Sequence, residues 1–368
     1  MRITGIEALP VLLESASQPM PFFVVRVETD EGLVGWGESC DSFGVSHPHV
    51  LAAIVEESYR PLLLGREFDA AGPLLDEVTR TTRRALGAYS GAAQARSALS
   101  IALSDLVGQR AGRSLSDLAG RVRDDIPVYA GLSPFLETLS AAEHADSLAP
   151  ALDRGVRMVK MRVGVDWRRA LRVLRELRDR LPDDIEIAVD GSEFFDLPTT
   201  LRMLPALADL GISWFEEPIE HTATTAVAEL ADVSAVPLAY GEHVFGPDFA
   251  LESLRSARIG VMQPDATIAG GFEAARVVAD LAAGARLRVA IHHHAGPISL
   301  AANLHVAGSV SSVDVLEYPT HLSPVYDRVA PGSAFDLDEI VDGRLRVPTG
   351  PGLGIDVDEA ALRRAVLT

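Results

Sequence analysis

Cysteine, long apolar runs and positive charge are all scarce in this 368-residue sequence, and each shortage excludes a class of protein. The single cysteine, Cys40, excludes an internal disulfide framework and a cysteine-based zinc site, which fits a reducing compartment. No apolar run reaches the length needed to span a bilayer, and the first residues lack the basic and apolar regions of a secretory signal. We therefore expect a cytoplasmic protein with no membrane partner.

The shortage of positive charge bears on the partners of the protein. Lysine and arginine together number 33, against 52 aspartates and glutamates, and the net charge is −19. A surface this negative repels the phosphate backbone, so we expect no nucleic-acid partner. An anionic substrate would need local cations or a metal ion to reverse the field inside its binding site.

The residues that are present predict a large core and a first domain of mixed structure. Hydrophobic residues make up 48% of the chain, and its length suits a large barrel plus a smaller domain. Residues 1–125 have an α+β pattern, in which strands are followed by amphipathic helices. The predicted strands span 3–13, 22–29 and 33–38, and the predicted helices span 48–63, 71–86 and 91–106.

The rhythm of the sequence changes after residue 125. Within 126–333, eight short apolar strands alternate with amphipathic helices, which predicts a (β/α)8 barrel of the α/β class. The strands are expected at 127–132, 158–163, 185–189, 212–216, 237–241, 260–264, 288–292 and 313–317. A doubly wound sheet is the alternative, but the glycine-rich phosphate turn that usually follows its first strand is not found. Residues 334–368 are not another unit, and we expect them to pack back on the first domain.

Charged side chains stand at the C-terminal ends of seven successive predicted strands. In a barrel these ends meet at one face, so we expect the side chains to converge there. Three of them, Asp190, Glu216 and Glu242, are spaced evenly at 26 residues. Three carboxylates held together need a cation, and an all-oxygen set favours Mg²⁺, with Mn²⁺ as a substitute. Zinc is less favoured because no histidine or cysteine belongs to this trio.

Two cations and a carboxylate–histidine pair are expected beside this trio. Lys160 and Arg162 are two apart on one strand, so they share a face and could hold a substrate carboxylate. Asp265 ends the strand immediately before the one that ends in a run of three histidines, 292–294. A carboxylate that is hydrogen-bonded to an imidazole raises its basicity, which suits a general base.

Taken together, these residues resemble the enolase superfamily, most nearly its mandelate racemase subgroup. The resemblance covers nearly the whole chain and rests on several motifs in the family's order, namely VKMR, VDG, WFEEP, YGEH, QPDATIAGG and PTGPGLGI. It implies that residues 1–125 form a capping domain over the barrel. It also implies that Asp190, Glu216 and Glu242 bind Mg²⁺. Glu216 is preferred to Glu217 because the family uses the first glutamate of its EEP motif.

The resemblance also implies catalytic roles. Lys160 matches the first lysine of a Lys-x-Lys motif, and Glu317 matches a carboxylic acid that hydrogen-bonds to the substrate carboxylate. Asp265 and His293 match an Asp–His dyad. We choose His293 by counting back from the Pro-Ile-Ser segment that follows, and His292 is the second choice because strand alternation would turn it to the other face.

Two positions depart from the family pattern. Arg162 replaces the second lysine of Lys-x-Lys, and arginine is a poor base because it stays protonated. Ser192 replaces the usual asparagine two residues after the first metal ligand. Racemisation needs a base on each face of the α-carbon, so the substitution at 162 weakens that reaction, although Lys160 could still serve.

These observations lead us to expect Mg²⁺-dependent removal of the proton α to a carboxylate. A single histidine can take this proton and return it to a departing β-hydroxyl, so dehydration of an acid sugar to a 2-keto-3-deoxy acid comes first. The alternative is a racemase, epimerase or cycloisomerase acting on a hydroxy acid or a sugar lactone. A non-enzyme alternative is an inactive barrel that binds an acid or a protein. A barrel-type metal hydrolase would carry histidine ligands early in the barrel, and no such motif is found.

Substrate choice is expected in the first domain, from loops 15–22 and 41–49. The residues proposed to contact substrate are Met20, Phe22, His47 and His49, together with Ser192 in the barrel. The partner is expected to be a small carboxylate. By analogy with the family, the chain would form a homo-oligomer, either a dimer or an octamer.

Overall fold

An antiparallel sheet of three strands begins the chain in the computed structural model, which describes residues 1–15, 19–39, 47–256 and 258–367. The strands are β1 (Ile3–Glu14), β2 (Pro19–Thr29) and β3 (Val34–Ser39), with β2 in the middle. Helices follow as α1 (Pro48–Ile54), α2 (Arg60–Leu63), α3 (Ala71–Leu86), α4 (Gly91–Ala111) and α5 (Leu115–Ala119). One π-helical turn, Val55–Tyr59, joins α1 to α2.

Two glycines allow β3 to lie directly on α4. A Cβ atom on Gly37 would stand 1.8 Å from the carbonyl oxygen of Ala98, and one on Gly35 would stand 2.3 Å from that of Ala102. The spacing of two residues puts both glycines on the same face of the strand. Because the backbones approach this closely, α4 covers one face of the sheet and the barrel covers the other.

Eight parallel strands then form a closed barrel, with helices between them. The strands are β4 (Asp125–Phe135), β5 (Met158–Arg162), β6 (Glu186–Asp190), β7 (Phe215–Glu216), β8 (Leu238–Tyr240), β9 (Val261–Met262), β10 (Arg288–Ile291) and β11 (Val313–Pro319). Each strand pairs with the next, and β11 pairs in parallel with β4 to close the ring. The helices are α6 (Ala141–Asp153), α7 (Trp167–Arg178), α8 (Leu197–Asp209), α9 (Thr224–Val233), α10 (Pro247–Ser256), α11 (Phe272–Gly284) and α12 (Pro297–Ser309).

The inside of the barrel is filled by one buried side chain from each strand or, for β7, from the residue just before it. This layer consists of Tyr129, Met158, Ala188, Trp214, Ala239, Val261, Ala290 and Val315. Because side chains alternate along a strand, the positions two residues further on also point inward, one layer nearer the C-terminal face. The layer therefore sets which residues can reach that face.

The end of the chain joins the two domains. It contains α13 (Ser323–Val329), β12 (Arg344–Arg346) and α14 (Glu359–Arg364), and β12 pairs antiparallel with β4. The buried carboxylate of Asp105 in α4 accepts hydrogen bonds from the backbone N–H groups of Leu353 and Trp36. The C-terminal segment thus binds the barrel at one end and the first domain at the other.

The predicted α/β fold class, a (β/α)8 barrel behind an α+β domain, is confirmed by this architecture. Within the described part of the chain, no helix is both long and apolar enough to cross a bilayer.

The close approach of β3 to α4 can be tested by adding one methyl group. We expect Gly37→Ala to lower the free energy of unfolding by about 3 kcal/mol, because the new Cβ forces two backbones apart. Gly72→Ala is the matched control, since its Cβ would meet no atom within 4 Å and it lies in α3. Chemical denaturation of both variants gives the comparison, and equal stability of the two would contradict the packing described here.

Candidate active site

The side chains at the C-terminal face of the barrel follow from the pleat of its strands. Six of them stand two residues after a member of the inner layer, namely Lys160, Asp190, Glu216, Gln263, His292 and Glu317. All six are buried. They surround or underlie a small open cavity, which is lined from six different strand ends. The polar residues at the strand ends therefore do converge on one place.

The three carboxylates that the sequence singled out lie on adjacent strands of this ring. Asp190 and Glu216 are paired neighbours in β6 and β7. The inward position after β8 is taken by Gly241, where a Cβ would lie 2.3 Å from the backbone nitrogen of Gln263. Its φ of +147° turns the chain so that the next residue, Glu242, faces the cavity instead.

The second glutamate of the EEP segment points elsewhere. Glu216 accepts hydrogen bonds from Lys160 Nζ at 2.6 Å and from Gln263 Nε2 at 2.6 Å, inside the barrel. Glu217, whose φ is +33°, turns to His243, whose Nδ1 lies 2.9 Å from the carboxylate. A positive φ in a non-glycine residue is strained and is characteristic of functional sites. Of the two glutamates, Glu216 is therefore the one whose carboxylate is directed into the barrel at the cavity.

The donor set fits a divalent cation. Five buried carboxylates lie around the cavity floor, and three side chains there can carry positive charge. The carboxylates are Asp190, Glu216, Glu242, Asp265 and Glu317, and the cationic groups are Lys160, Arg162 and His292. Burial raises the pKa of Glu216 to about 7; Lys160 opposes this shift, while Asp190, Glu317 and Glu242 add to it. A net excess of two negative charges among oxygen donors is what a hard divalent ion neutralises.

Lys160 and Arg162 lie on β5, three strands round the ring from β10, which carries the histidine. Lys160 Nζ bonds to Glu216 and, at 3.0 Å, to Glu317. Burial alone would lower the pKa of Lys160, but Glu216 and Glu317 raise it well above its ordinary value. Arg162 Nη2 donates to Ser192 Oγ at 3.1 Å, and Ser192 in turn donates to Asp190. Both cations are therefore held in place by the carboxylates of the site.

The structure corrects the choice of histidine. His292 Nδ1 lies 2.9 Å from Asp265 Oδ2, and its Nε2 lies 2.9 Å from Glu242 Oε2. His293 points the other way, with its Nε2 at 3.1 Å from the hydroxyl of Tyr326. The reason is the phase of β10: Ala290 fills the inner layer, so 292 points inward and 293 outward. The Asp–His pair at the cavity is therefore Asp265 with His292.

The ionisation of this pair reflects its surroundings. Burial would lower the pKa of His292, but Glu242 and Asp265 raise it well above its ordinary value. Burial would raise the pKa of Asp265, but the hydrogen bond from His292 brings it below its ordinary value. A proton on His292 is thus stabilised by carboxylates on both ring nitrogens.

A residue that the sequence did not single out, Asn303 in α12, holds the dyad together. Its Nδ2 donates to Asp265 Oδ1 at 3.0 Å and to the carbonyl oxygen of His292 at 3.2 Å. Its Oδ1 accepts from the backbone N–H of Ala266 at 2.9 Å. The start of α12 is in turn bound by Glu38 of β3, whose carboxylate accepts from the backbone N–H of Gly296 at 2.6 Å. The first domain thereby contacts the element that positions the dyad.

A second group of charged residues lies outside the cavity. The rings of His221 and His243 stack 4.7 Å apart at 10°, and their Nδ1 atoms lie 2.7 and 2.9 Å from Glu193 and Glu217. Ligand atoms lie within 4.8 Å of one another in two sets, Glu193–His221–His243 and Glu217–Glu242–His243, and Glu242 of the second set also lines the cavity. Two rings this nearly parallel do not direct their lone pairs at one ion, so we interpret the histidines as stacked partners of Glu193 and Glu217 that support the loops after β7 and β8.

The first-domain residues proposed to contact substrate do not line the cavity. Met20 and Phe22 are buried in the core, paired across the sheet with Leu13 and Val11. His47 and His49 are exposed, before and within α1. Of the candidates, Ser192 lines the cavity. Residues 16–18 and 40–46, which make up much of the two predicted loops, lie outside the described residues.

Other polar residues at or beneath the cavity were given no role by the sequence analysis. Tyr129 donates from its hydroxyl to Glu317 at 3.1 Å, and Trp214 Nε1 donates to Glu216 at 3.2 Å. His294 and His321 line the cavity nearer the mouth, with ring centroids 5.2 Å apart. The two-residue step from Trp214 to Glu216 was readable in the sequence, but His321 follows a strand end by four residues and gave no signal.

A capped barrel with a carboxylate ring, two cations and an Asp–His pair defines an enzyme of the enolase type. Comparison with known proteins agrees, because two family models match the chain. The model of the mandelate racemase / muconate lactonizing enzyme N-terminal domain matches residues 9–120, and the enolase C-terminal domain-like model matches residues 141–361. The chain belongs to the mandelate racemase/muconate lactonizing enzyme family of the enolase superfamily, as its motifs predicted. It is therefore a lyase or an isomerase.

Individual relatives span nearly the whole chain. An arabinonate dehydratase from Saccharolobus solfataricus is 28% identical, with 93% of this chain and 90% of the relative covered. A D-galactarolactone cycloisomerase from Agrobacterium fabrum is 27% identical, with 98% of each covered. The solved structure of an enolase superfamily member from Polaromonas sp. JS666 has a TM-score of 0.90 at 26% identity, covering 100% of this chain and 98% of that one.

The role of Asn303 can be tested through stability. We expect Asn303→Ala to lower the free energy of unfolding by about 2–3 kcal/mol, because it leaves buried partners in the Asp265–His292 pair unsatisfied. Ser309→Ala is the control, since its hydroxyl bonds only within α12, to the carbonyl of Val306. That change is expected to cost about 1 kcal/mol or less in urea unfolding. Equal losses in the two variants would show that Asn303 has no special place in the network.

Proposed function

We propose that this enzyme dehydrates an acid sugar to a 2-keto-3-deoxy acid in a Mg²⁺-dependent reaction. The observation that carries the proposal is the arrangement of one Asp–His pair facing two cations across a ring of carboxylates. Relatives named as dehydratases, including one for arabinonate, support it.

His292 would act as the base. Its Nε2 is the ring nitrogen turned towards the cavity carboxylates, 2.9 Å from Glu242 and 3.7 Å from Glu317. Its Nδ1 is bound to Asp265, which fixes the ring orientation and favours the protonated form that follows proton abstraction. The base is thus oriented before the substrate arrives.

Lys160, Arg162 and Glu317 would hold the substrate carboxylate on the opposite side. When the α-proton leaves, the carboxylate gains a second negative charge, and fixed cations stabilise that charge more than the ground state. A Mg²⁺ ion, held by Asp190, Glu216 and Glu242, would add positive charge against the same oxygens.

The dehydration needs a single base. His292 Nε2 takes the proton from Cα, and the electrons of the C–H bond form the Cα=C bond of the enediolate. The electrons then form a Cα=Cβ bond as the Cβ–OH bond breaks, and the proton on His292 goes to the leaving hydroxyl, which departs as water. The resulting enol takes up a proton at Cβ and loses the proton of its α-hydroxyl group to give the 2-keto-3-deoxy acid.

Racemisation or epimerisation is the second candidate, because Lys160 reaches the cavity from β5, three strands round the ring from His292. The geometry favours it less. Arg162 replaces the residue that would be a lysine, and Lys160 Nζ is bound to two carboxylates rather than free to accept a proton.

The proposal predicts a sharp difference between two adjacent histidines. We expect His292→Asn to lower kcat for α-proton removal by about a thousandfold or more, because the base is lost. His293→Asn should leave kcat within about tenfold, since this residue bonds to Tyr326 outside the cavity. The assay is α-proton exchange in D2O by NMR, run beside keto-acid detection over a set of acid sugars.

Each outcome of this assay supports a different function for the site. Keto acid that disappears in His292→Asn supports the dehydratase. Exchange or inversion without keto acid identifies an epimerase or racemase instead. A folded, Mg²⁺-binding protein without any exchange would contradict catalysis of this kind and leave the binding-protein reading.

The metal assignment predicts a loss of Mg²⁺ affinity from one carboxylate. We expect Glu242→Gln to weaken Mg²⁺ binding by about a hundredfold or more, because an anionic ligand becomes neutral. Glu229→Gln removes the same charge from an exposed position on α9 and is the control. Calorimetric titration and the Mg²⁺-induced rise in Tm measure the effect. Equal affinity in the two variants would contradict the site.

A further inference from the structure

The mouth of the cavity differs chemically from its floor. The floor holds the carboxylate ring and Lys160, while Ser133, Arg162, His294 and His321 lie around the upper part. His294 comes two residues after His292, and His321 comes four residues after Glu317. Both therefore follow the C-terminal ends of their strands, β10 and β11, on the side of the mouth. A substrate whose reacting carboxylate reaches the floor would place its far end among these residues.

The mouth contains a buried polar atom that makes no hydrogen bond within the described residues, His321 Nδ1. Arg162 Nε makes none either, but it lies 3.7 Å from Asp190 Oδ2 in an ion pair. Buried polar groups in folded proteins are nearly always hydrogen-bonded, so those that are not and that border a cavity are candidates for ligand contact. Arg162 Nη2 already bonds to Ser192. The polar group nearest the mouth that can still form a hydrogen bond is therefore His321.

The two histidines at the mouth are held in the neutral form. Burial and the nearby Arg162 together lower the pKa of His321 to about 4. Burial also lowers the pKa of His294 well below its ordinary value. A neutral imidazole offers one donor and one acceptor, which matches a hydroxyl group. A carboxylate offers acceptors alone, and burying it without a cation is costly.

Within the described part of the chain, the cavity lining offers no further cation that could bind a second substrate carboxylate. Among the described residues that line the cavity, the permanent cations are Lys160 and Arg162, and both already face carboxylates of the site. The segments 16–18 and 40–46, outside the described residues, contain no lysine or arginine. The overall charge of −19 further disfavours a dianion over a monoanion.

We propose that His321, with His294 beside it and Arg162 below, forms a hydroxyl-binding subsite that selects an acid sugar with a single carboxylate. The substrate class is then an aldonate, with hydroxyls at its far end, rather than an aldarate, with a carboxylate at each end. This inference rests on the proposed function for the position of the reacting carboxylate.

The test compares aldonates and aldarates of the same configuration, gluconate with glucarate and galactonate with galactarate, at saturating Mg²⁺. We expect the enzyme to favour the aldonate in kcat/KM by about tenfold or more, the value of one well-placed polar contact. His321→Lys supplies a cation at the mouth and should move this ratio towards the aldarate by about tenfold or more. His321→Leu should lose activity on the aldonate without gaining the aldarate.

Val233→Lys is the matched control, because it adds the same charge at an exposed position just before β8, at the far end of the barrel. It should leave the ratio unchanged. Preference of the unmodified enzyme for the aldarate, or an unchanged ratio in His321→Lys, would overturn the inference.

Binding separates failure of this inference from failure of the proposed function. Calorimetry with the His292→Asn variant and Mg²⁺ reports affinity for the same acids without turnover. Tighter binding of aldonates, with no exchange by the unmodified enzyme, would retain the subsite and reject the reaction. Exchange with aldarates in preference would retain the reaction and reject the subsite, and binding of neither class would reject the subsite.

Discussion

The alternation of side chains along eight closed strands is the constraint on which the site depends. A buried layer of mostly apolar residues fills the barrel, and the next inward position on six strands carries a polar or charged group. This step of two residues brings Lys160, Asp190, Glu216, His292 and Glu317 together from strands far apart in sequence. A shift of one residue in any strand would turn its functional group out of the cavity.

Electrostatics then determine what the site can do. Carboxylates outnumber cations at the cavity floor, so a divalent ion is needed to balance them, and each cation already lies against a carboxylate. The Asp265–His292 pair contacts this charge through Glu242 and is held by Asn303. Because Glu38 contacts the start of α12, the first domain contributes to the geometry of the dyad without lining the cavity floor.

Much of this could be predicted from the sequence, and the failures have physical causes. Apolar runs ending in charge located the barrel strands and the carboxylate trio, because burial and convergence leave a readable pattern. The phase of β10 was not readable, since Val289, Ala290 and Ile291 are all apolar, and His293 was chosen wrongly in place of His292. Met20 and Phe22 were misplaced because both faces of β2 are covered. Asn303 resembles any polar residue of a helix until its partners are seen.

The central claim is that the dyad removes a proton from the carbon next to a carboxylate that is held by Lys160, Arg162 and an ion at the carboxylate trio. The most direct measurement is a crystal structure of the His292→Asn variant with Mg²⁺ and a bound acid sugar. The account predicts the ion among Asp190, Glu216 and Glu242, with the α-carbon facing residue 292 and the carboxylate near Lys160 and Arg162. An ion bound instead at Glu217 and His243, or an α-carbon turned away from residue 292, would contradict it.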